Sequence, residues 1–301
     1  MPQPSRPGPT EPPKTVLHLG AHKTATTFIQ KVLSLNADAL RRRGTAVLLP
    51  EHLRGDPDLA YASTGDADRD AQVHRTRARF DTLLRGARAP RVVLSEEGLL
   101  GSSRMNLTAR ALYPDPGPRL SCLPPDLDSP DTEICLSIRS YDSFFAANIS
   151  TVARRGKLFA FDDLRASLLA LARGWPDVLA DIRAHFPNAR LTVWQYEDFT
   201  PHRDAILRHL AGGPVNFASA DRVNRSLSAR AMTELAALAD SRGNLPGGPG
   251  AARKLARAFP SGAQYPSYSP WSPEDAATLR AAYDRHWQQI RDTHPDACLW
   301  T

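Results

Sequence analysis

The strongest constraint on the fold lies near the start of the chain, in the segment TVLHLGAHKTATTFIQ, residues 15–30. A short apolar run, 15–20, ends at Gly20, and an amphipathic segment, 27–44, follows a cluster of threonines. The first run is typical of a strand, and the spacing of apolar residues in the second is typical of a helix. We therefore expect a strand, a tight loop and a helix, the repeating unit of an α/β domain with a parallel sheet.

Apolar runs and helical patterns continue to alternate along the chain, which predicts a parallel sheet covered by helices on both faces. Strands are expected at 45–50, from residue 91, at 133–140 and at 190–199, and helices at 67–88, 141–156, 161–175, 176–186, 226–242 and 272–293. Loops are expected at 51–66, at the Pro-rich 113–131 and at 243–270, the last with a short basic helix. The final helix has an N-cap Ser272, a Pro273 at its first position and an acidic Asp275.

The length and the ends of the chain suggest one large domain. Residues 14–301 suffice for a substantial core, with a mainly helical C-terminal part at 222–301. The Pro-rich residues 1–13 lack the order of a secretory signal, so we expect a disordered tail and a cytoplasmic protein. No apolar run approaches the roughly 18 residues of a membrane span.

Cysteine usage and charge narrow the function classes. Three cysteines, Cys122, Cys135 and Cys298, lie far apart, which argues against a disulfide framework or a structural zinc. The formal net charge of +6 suits an anionic ligand. The basic residues are scattered and form no run with interleaved aromatics, so nucleic acid is not an expected partner.

The first loop has the chemistry of a phosphate site. A loop between the carboxyl end of a strand and a helix presents backbone N–H groups and the positive end of the helix dipole. Lys23 adds a positive charge, and the hydroxyls of Thr24, Thr26 and Thr27 are candidate donors to phosphate oxygens. The alternative is an ordinary turn in which threonines cap the helix.

A nucleoside-triphosphate loop of the form GxxxxGK[ST] is only partly matched, because no glycine precedes Lys23. Phosphoryl transfer also uses a carboxylate at the end of a neighbouring strand to hold Mg²⁺. Glu96 or Glu97 could serve as that group, so a kinase-type phosphotransferase remains one alternative.

The segment LGAHKTATT resembles the 5′-phosphosulfate-binding loop of the sulfotransferases, whose common form is close to G-x-P-K-T-G-T-T. His22 stands where that form has Pro, and Ala25 stands where it has Gly. Four further segments resemble family motifs and occur in the family order, LSEEGLLG as in bacterial members, SIRSYDSFFAANIS, VWQYEDF and RVNRSLS. The resemblance spans roughly residues 15–230 and implies a P-loop NTPase-like three-layer fold.

The resemblance also implies a donor site for 3′-phosphoadenosine 5′-phosphosulfate (PAPS). The loop residues that would hold its 5′ end are Gly20, Ala21, His22, Lys23, Thr24, Ala25, Thr26 and Thr27. Arg139 and Ser143 would hold the 3′-phosphate. Ala147 stands where the family has Ser, with Asn148 and Ser150 as further nearby donors.

The reaction implied is metal-independent, in-line sulfuryl transfer to a hydroxyl or amine. Lys23 would stabilise the departing oxygen, and Glu97, or alternatively Glu96, would be the general base. The opposing interpretation is that both carboxylates pair with nearby arginines. A non-catalytic nucleotide-binding protein is a further alternative. The acceptor, whether a small molecule, a saccharide or a lipid, and the oligomeric state stay open.

Other residues have two possible interpretations. Tyr265, Tyr268 and Trp271 suit stacking on a sugar or base, or packing under the last helix. Three basic residues of the short C-terminal helix could reach a phosphate, or form a solvated face, and these are Arg253, Lys254 and Arg257. His18 is expected in the core, and the YED segment, 196–198, is expected to be mainly structural.

Overall fold

A computed structural model of the chain describes residues 13–63, 65–215, 217–218 and 226–299. The predicted tail lies outside the described residues except for Pro13, as does most of the RVNRSLS segment. Within the described residues, no helix is long and apolar enough to cross a membrane.

In the part of the chain that the structure describes, five strands form the central sheet: β1 Lys14–His18, β2 Thr45–Leu48, β3 Arg91–Ser95, β4 Thr132–Ile138 and β5 Arg190–Gln195. All neighbouring pairs are parallel, and the order is β2-β3-β1-β4-β5. The first strand is central, since it pairs with β3 on one side and β4 on the other. The predicted α/β fold with a central parallel sheet is confirmed.

Alternate residues of each strand enter two different cores. Leu17, Leu94 and Ile134 face the larger core, whereas Val16 and Val93 face the second core. Side chains of adjacent strand residues point to opposite faces, so a sheet covered on both sides requires continuous apolar strands. This burial explains why the central strands could be predicted from short uninterrupted apolar runs.

Helices cover both faces. They are α1 Thr26–Leu35, α2 Ala37–Arg42, α3 Pro50–Leu53, α4 Arg69–Gly86, α5 Ser103–Ala109, α6 Gly117–Leu120, α7 Tyr141–Arg154, α8 Phe161–Ala170, α9 Trp175–His185, α10 Phe199–Ala211, α11 Ala229–Leu238, α12 Pro249–Ala258 and α13 Pro273–Thr293. The second core is closed by α1, α2 and α10, and the larger core by α7, α9 and α13 among others. As predicted, Ser272 caps α13 by accepting a hydrogen bond from the Asp275 N–H at 3.1 Å.

The structure corrects several predicted boundaries. The single helix expected at 27–44 is divided at Asn36, whose side chain accepts a hydrogen bond from the Ala218 N–H. The segment 113–131 is not a plain loop, because it contains α6 and a 3₁₀ turn at 125–127. The short helix α3 occupies the start of the loop expected at 51–66. A 3₁₀ turn at 196–198 follows β5 directly, so the strand predicted to reach residue 199 ends at Gln195.

Candidate active site

The loops that follow β1, β3, β4 and β5 meet at the carboxyl edge of the sheet and border one cleft of about 1040 Å³. Ligands of open α/β sheets bind at this edge. The predicted site residues that line the cleft are His22, Lys23, Ala25, Thr26, Thr27, Glu97, Arg139 and Ser143. Four other predicted residues do not line it, namely Gly20, Ala21, Thr24 and Glu96.

The loop after β1 is held in a tight conformation. A side chain at Gly20 would place its Cβ 2.7 Å from the Thr26 hydroxyl, and the φ of +37° also favours glycine. The hydroxyls of Thr24 and Thr26 both donate to the Ala21 carbonyl, at 2.6 and 3.1 Å. These two hydroxyls therefore close the loop, while Ala25, which precedes α1, has no side-chain cap to offer the helix N–H groups.

Lys23 lies within a group of positive charges. Burial, together with the smaller effects of the charges of Arg154, Arg139 and Arg155, lowers its pKa to about 8. Its backbone is left-handed, with a φ of +67°, and its carbonyl accepts a hydrogen bond from Arg139 Nη1 at 2.6 Å. An anion in the cleft would relieve this accumulation of positive charge.

Arg139 connects the loop to α7 and to an aromatic ring. Its Nε donates to the Ser143 hydroxyl at 2.8 Å, one turn along the helix. Its guanidinium lies over the Tyr196 ring, 4.5 Å from the ring centre. Burial lowers the pKa of Arg139, although guanidinium groups remain protonated in proteins. The side chain is thus fixed on three sides before any ligand arrives.

One face of α7 forms a wall of the cleft. Ser143, Ala147, Thr151 and Arg154 recur at helical spacing and all line it. The other two donors considered near Ala147 lie elsewhere: the Asn148 side chain donates to the Phe144 carbonyl, and the Ser150 hydroxyl accepts from the Leu227 N–H. Of those three candidates, Ser143 is the one in the cleft.

The two carboxylates after β3 occupy different environments. Glu97 lines the cleft, and it accepts hydrogen bonds from Gln30 at 2.9 Å and Arg54 at 2.8 Å. Glu96 is 1% exposed and accepts from Arg54 and from the Gly98 N–H. The same arginine therefore pairs with both carboxylates, as in the alternative interpretation, yet only Glu97 borders the cleft.

Their pKa values also diverge. Burial alone would raise the pKa of Glu97, but at the low pH where Glu97 titrates the charges of His22 and of Arg54, with the hydrogen bonds from Arg54 and Gln30, lower it to about 2. Burial raises the pKa of Glu96 despite its bonds to Arg54. Glu97 is consequently ionised and able to accept a proton, although its basicity is low.

A row of aromatic rings borders the cleft beside Arg139. Tyr196 stacks on Phe199, and Phe199 meets Phe28 edge to face at 5.8 Å between ring centres. Arg203 lies over the Phe28 ring at 6.0 Å. Aromatic faces flanked by guanidinium groups are a platform on which a nucleobase can stack. In contrast to Tyr196, Glu197 is structural, since it accepts from the Ser140 N–H at the start of α7.

Several cleft residues were not singled out from the sequence. They are the arginines Arg154, Arg155, Arg203 and Arg280, together with Thr151 and the ring of Phe28. The described lining holds six cationic side chains and two carboxylates, a formal charge of +4. The helical spacing from Ser143 to Arg154 was visible in the sequence and was the available signal.

The C-terminal candidates are divided between the cleft and other surroundings. Tyr268 lines the cleft, whereas Trp271 packs on Phe161 and donates to the Asp142 carbonyl. Tyr265 meets Phe259 edge to face outside the described lining. The three basic residues of α12 are exposed and are not among the lining residues of the cleft.

One group of potential metal ligands lies at the opposite edge of the sheet. Glu133, Cys135 and His209 have ligand atoms within 4.8 Å of one another. The Glu133 carboxylate, however, already accepts hydrogen bonds from His209 at 2.7 Å and from Thr192 at 2.6 Å. This arrangement is a hydrogen-bonded cluster toward the amino ends of the strands, and none of its three residues lines the cleft.

No protein-family model matches the chain, and no curated protein matches it significantly. Solved structures that match include a sulfotransferase from Alicyclobacillus acidocaldarius, with a TM-score of 0.41 and 16% identity over 93% of this chain and 100% of that one. Retinol dehydratase also matches, in complexes with androsterone and inactive cofactor PAP and with retinol and PAP. Its TM-scores are 0.34 and 0.33, at 14% identity over 69% of this chain and 62% of that one.

The first of these structures bears the family name that the motifs suggest. At TM-scores below 0.5 and identities of 16% or less, such similarity is too low to assign an activity. A function has to be inferred from the residues of the cleft.

Proposed function

We propose that the chain is a sulfotransferase that moves a sulfuryl group from PAPS to a hydroxyl or amine acceptor. The observation that carries the proposal is the position of Lys23, in a tight loop at the carboxyl edge of the sheet, facing a cleft that also holds an ionised Glu97. One cation for the leaving group and one base for the acceptor are the two requirements of this transfer.

The charge of the cleft fits the donor. A nucleotide with a 3′-phosphate and a 5′-phosphosulfate carries about four negative charges near neutral pH. The described lining carries +4, and its arginines extend from the loop along α7. Arg139 and Ser143 are proposed for the 3′-phosphate, and the Tyr196 and Phe199 rings for the adenine.

In the proposed reaction, the acceptor oxygen or nitrogen forms a bond to sulfur while the bond from sulfur to the 5′-phosphate oxygen breaks. The electron pair of the broken bond stays on the phosphate, where Lys23 and the loop N–H groups stabilise the growing charge. The proton of the acceptor passes to Glu97. The products are the sulfated acceptor and 3′-phosphoadenosine 5′-phosphate (PAP).

The carboxylates of the cleft are poorly disposed to hold Mg²⁺. Glu97 is bound by Arg54, and Asp142 accepts from Arg280 at 2.8 Å and from the Ser140 hydroxyl at 2.7 Å. A magnesium ion prefers carboxylate and water oxygens in near-octahedral geometry and would have to displace these partners. Because both carboxylates are already bound to other side chains, the cleft favours sulfuryl transfer over metal-assisted phosphoryl transfer.

Calorimetric titration tests the proposal, with PAP and with ATP plus Mg²⁺ as ligands and Lys23→Ala as the variant. Lys31 on the exposed side of α1 supplies the matched control, Lys31→Ala. We expect wild type to bind PAP without metal, Lys23→Ala to bind it about 10- to 100-fold more weakly, and the control to be unchanged. Preference for Mg-ATP would contradict the proposal in favour of a kinase, and binding of neither would contradict it in favour of a protein without this donor.

A further inference from the structure

His22 is held by a single buried hydroxyl. The Tyr113 oxygen lies 2.7 Å from the His22 backbone nitrogen and 2.9 Å from its Nδ1. The two rings are tilted by 37°, with centres 5.9 Å apart. A backbone N–H and a ring nitrogen of the same residue therefore share one partner, 91 residues away in the chain.

Tyr113 is itself fixed in an unfavourable backbone conformation. Its φ of +41° is left-handed, which is costly for a bulky residue, and its side chain is fully buried. The Asn106 side chain accepts from the Tyr113 N–H at 3.0 Å, and Arg173 donates to the Tyr113 carbonyl at 3.0 Å. Strain of this kind persists where the surroundings enforce it, and it is frequent at functional sites.

The hydrogen bonds that the Tyr113 hydroxyl can form determine which ring nitrogen of His22 carries the proton. Its hydroxyl has one proton, and the His22 backbone N–H can only donate to it. Among the described residues, the structure gives the hydroxyl no other acceptor than His22 Nδ1. The Tyr113 proton therefore points at Nδ1, which acts as an acceptor, and the neutral imidazole carries its own proton on Nε2.

The charge states agree with this geometry. Burial lowers the pKa of His22 to about 4, with a smaller opposing effect from Glu97, so the ring is neutral at pH 7. Burial raises the pKa of Tyr113, which keeps its hydroxyl protonated. His22 lines the same cleft as its neighbour Lys23 and as Glu97.

We propose that His22 is a catalytic residue that donates a hydrogen bond from Nε2 to an oxygen of the sulfuryl group in transfer, and that Tyr113 is its positioning residue. This inference rests on the proposed function. It separates the roles in the cleft: the acceptor proton goes to Glu97, the leaving oxygen is stabilised by Lys23, and His22 keeps its proton throughout. Because the His22 imidazole donates as a neutral ring and not as a cation, it does not change the net charge of the cleft.

Nitrogen NMR of the protein labelled with ¹⁵N-histidine tests the protonation state without any turnover. The signal of His22 is assigned by its loss in His22→Gln. We expect a proton on Nε2 and none on Nδ1 at pH 7, in the presence and absence of PAP. In Tyr113→Phe we expect the two neutral tautomers to mix, because Nδ1 has lost its donor, whereas Tyr265→Phe, outside the cleft, leaves the signal unchanged. A proton on Nδ1 in wild type, or on both nitrogens, would overturn the inference.

Kinetics of sulfuryl transfer to a panel of alcohols test the catalytic part. PAP lacks the sulfuryl group, so we expect His22→Leu to bind PAP within about 3-fold of wild type while kcat falls about 100-fold, the effect of losing one transition-state donor. His22→Gln, which returns an N–H to the side-chain end, is expected to recover at least about tenfold of that loss. The exposed His74 supplies the control His74→Leu, expected at wild-type values.

The possible results separate the two proposals. A parallel loss of PAP affinity and kcat in His22→Leu, with no rescue by Gln, would show a structural role and overturn the catalytic one. Absence of PAP binding in wild type would instead remove the proposed function, whereas the NMR result would still decide the tautomer. Thermal unfolding of Tyr113→Phe shows whether a changed His22 signal comes from a folded protein.

Discussion

At the scale of single residues, Lys23 couples the charge of the cleft to pH. Burial and the charges of Arg154, Arg139 and Arg155 lower its pKa to about 8, so the ammonium group is partly deprotonated just above neutral pH. A dianionic phosphate beside it favours the charged form and raises this pKa again. Ligand binding above pH 8 must then take up protons, and affinity must fall as pH rises.

We therefore expect the Kd of PAP to be nearly constant from pH 6.5 to 7.5 and to rise by up to about tenfold per pH unit above 8. Calorimetry at pH 9 in two buffers of different ionisation enthalpy should show uptake of as much as about one proton. Lys23→Arg, which stays charged over this range, is the control, and its uptake should vanish. Equal proton uptake by wild type and Lys23→Arg would contradict the assignment to Lys23.

Also at the scale of single residues, the two carboxylates after β3 have roles that the sequence alone does not resolve. The sequence left two interpretations of the paired carboxylates after β3, a base or an ion pair with arginine. The structure shows the arginine pairing, because Arg54 bonds both Glu96 and Glu97, and of the two carboxylates only Glu97 borders the cleft. The partner lies more than 40 residues away, and no local pattern identifies it. The role of Glu97 as base remains a proposal.

At the scale of elements, the junction of the first loop and α1 departs from the favoured chemistry. Ala25, immediately before the helix, has a φ of +64°. A left-handed conformation costs an L-residue about 1–2 kcal/mol, whereas glycine adopts it readily. The sulfotransferase loop form that this loop resembles has glycine at that position, and glycine would not bear this conformational cost.

Ala25→Gly is expected to raise the free energy of unfolding by about 1 kcal/mol, because the relief of strain outweighs the added freedom of the unfolded chain. Ala166→Gly, at an exposed interior position of α8, is the matched control and should lower stability by about 1 kcal/mol. Urea denaturation of the three proteins measures both changes. A loss of stability in Ala25→Gly equal to that of the control would contradict the strained conformation.

Elements with a strong local signal were predictable and their mutual orientation was not. The middle residues of β1, β3 and β4 are buried on both faces of the sheet and are consecutive apolar residues, namely 16–17, 92–94 and 134–136. Asn36, where the first helix is divided, accepts a hydrogen bond from Ala218, 182 residues away, and no local pattern reveals that contact. Likewise, α7 was predicted as a helix, but the face that brings Arg154 to the cleft follows from packing against several other helices.

At the scale of the whole molecule, the two edges of the sheet have different roles. The carboxyl edge carries the cleft, and the amino edge carries a polar contact that joins three elements. Glu133 on β4 accepts from Thr192 on β5 at 2.6 Å and from His209 on α10 at 2.7 Å. Because this contact lies at the far ends of the strands, stability and ligand binding should be separable by mutation.

Acid stability tests this separation. Burial alone would raise the pKa of Glu133, but the hydrogen bonds from His209 and Thr192 lower it to about 2. A carboxyl whose pKa is depressed on folding stabilises the protein fully above its unfolded pKa of about 4.5, and that contribution is lost as pH falls toward 2. We expect Glu133→Gln to lower the free energy of unfolding at pH 7 by about 1–3 kcal/mol and to flatten its decline between pH 4.5 and 2.

The exposed Glu274 on α13 supplies the control Glu274→Gln, for which urea denaturation across the same pH range should reproduce the wild-type curve. PAP affinity of Glu133→Gln at pH 7 should equal that of wild type, since the described lining of the cleft includes neither Glu133 nor its partners Thr192 and His209. If Glu133→Gln and Glu274→Gln unfolded alike at every pH, the hydrogen bonds of Glu133 would contribute nothing to stability. If instead Glu133→Gln lost PAP affinity while remaining folded at pH 7, the two edges of the sheet would be coupled, because a change at the amino ends of the strands would have reached the loop that holds Lys23.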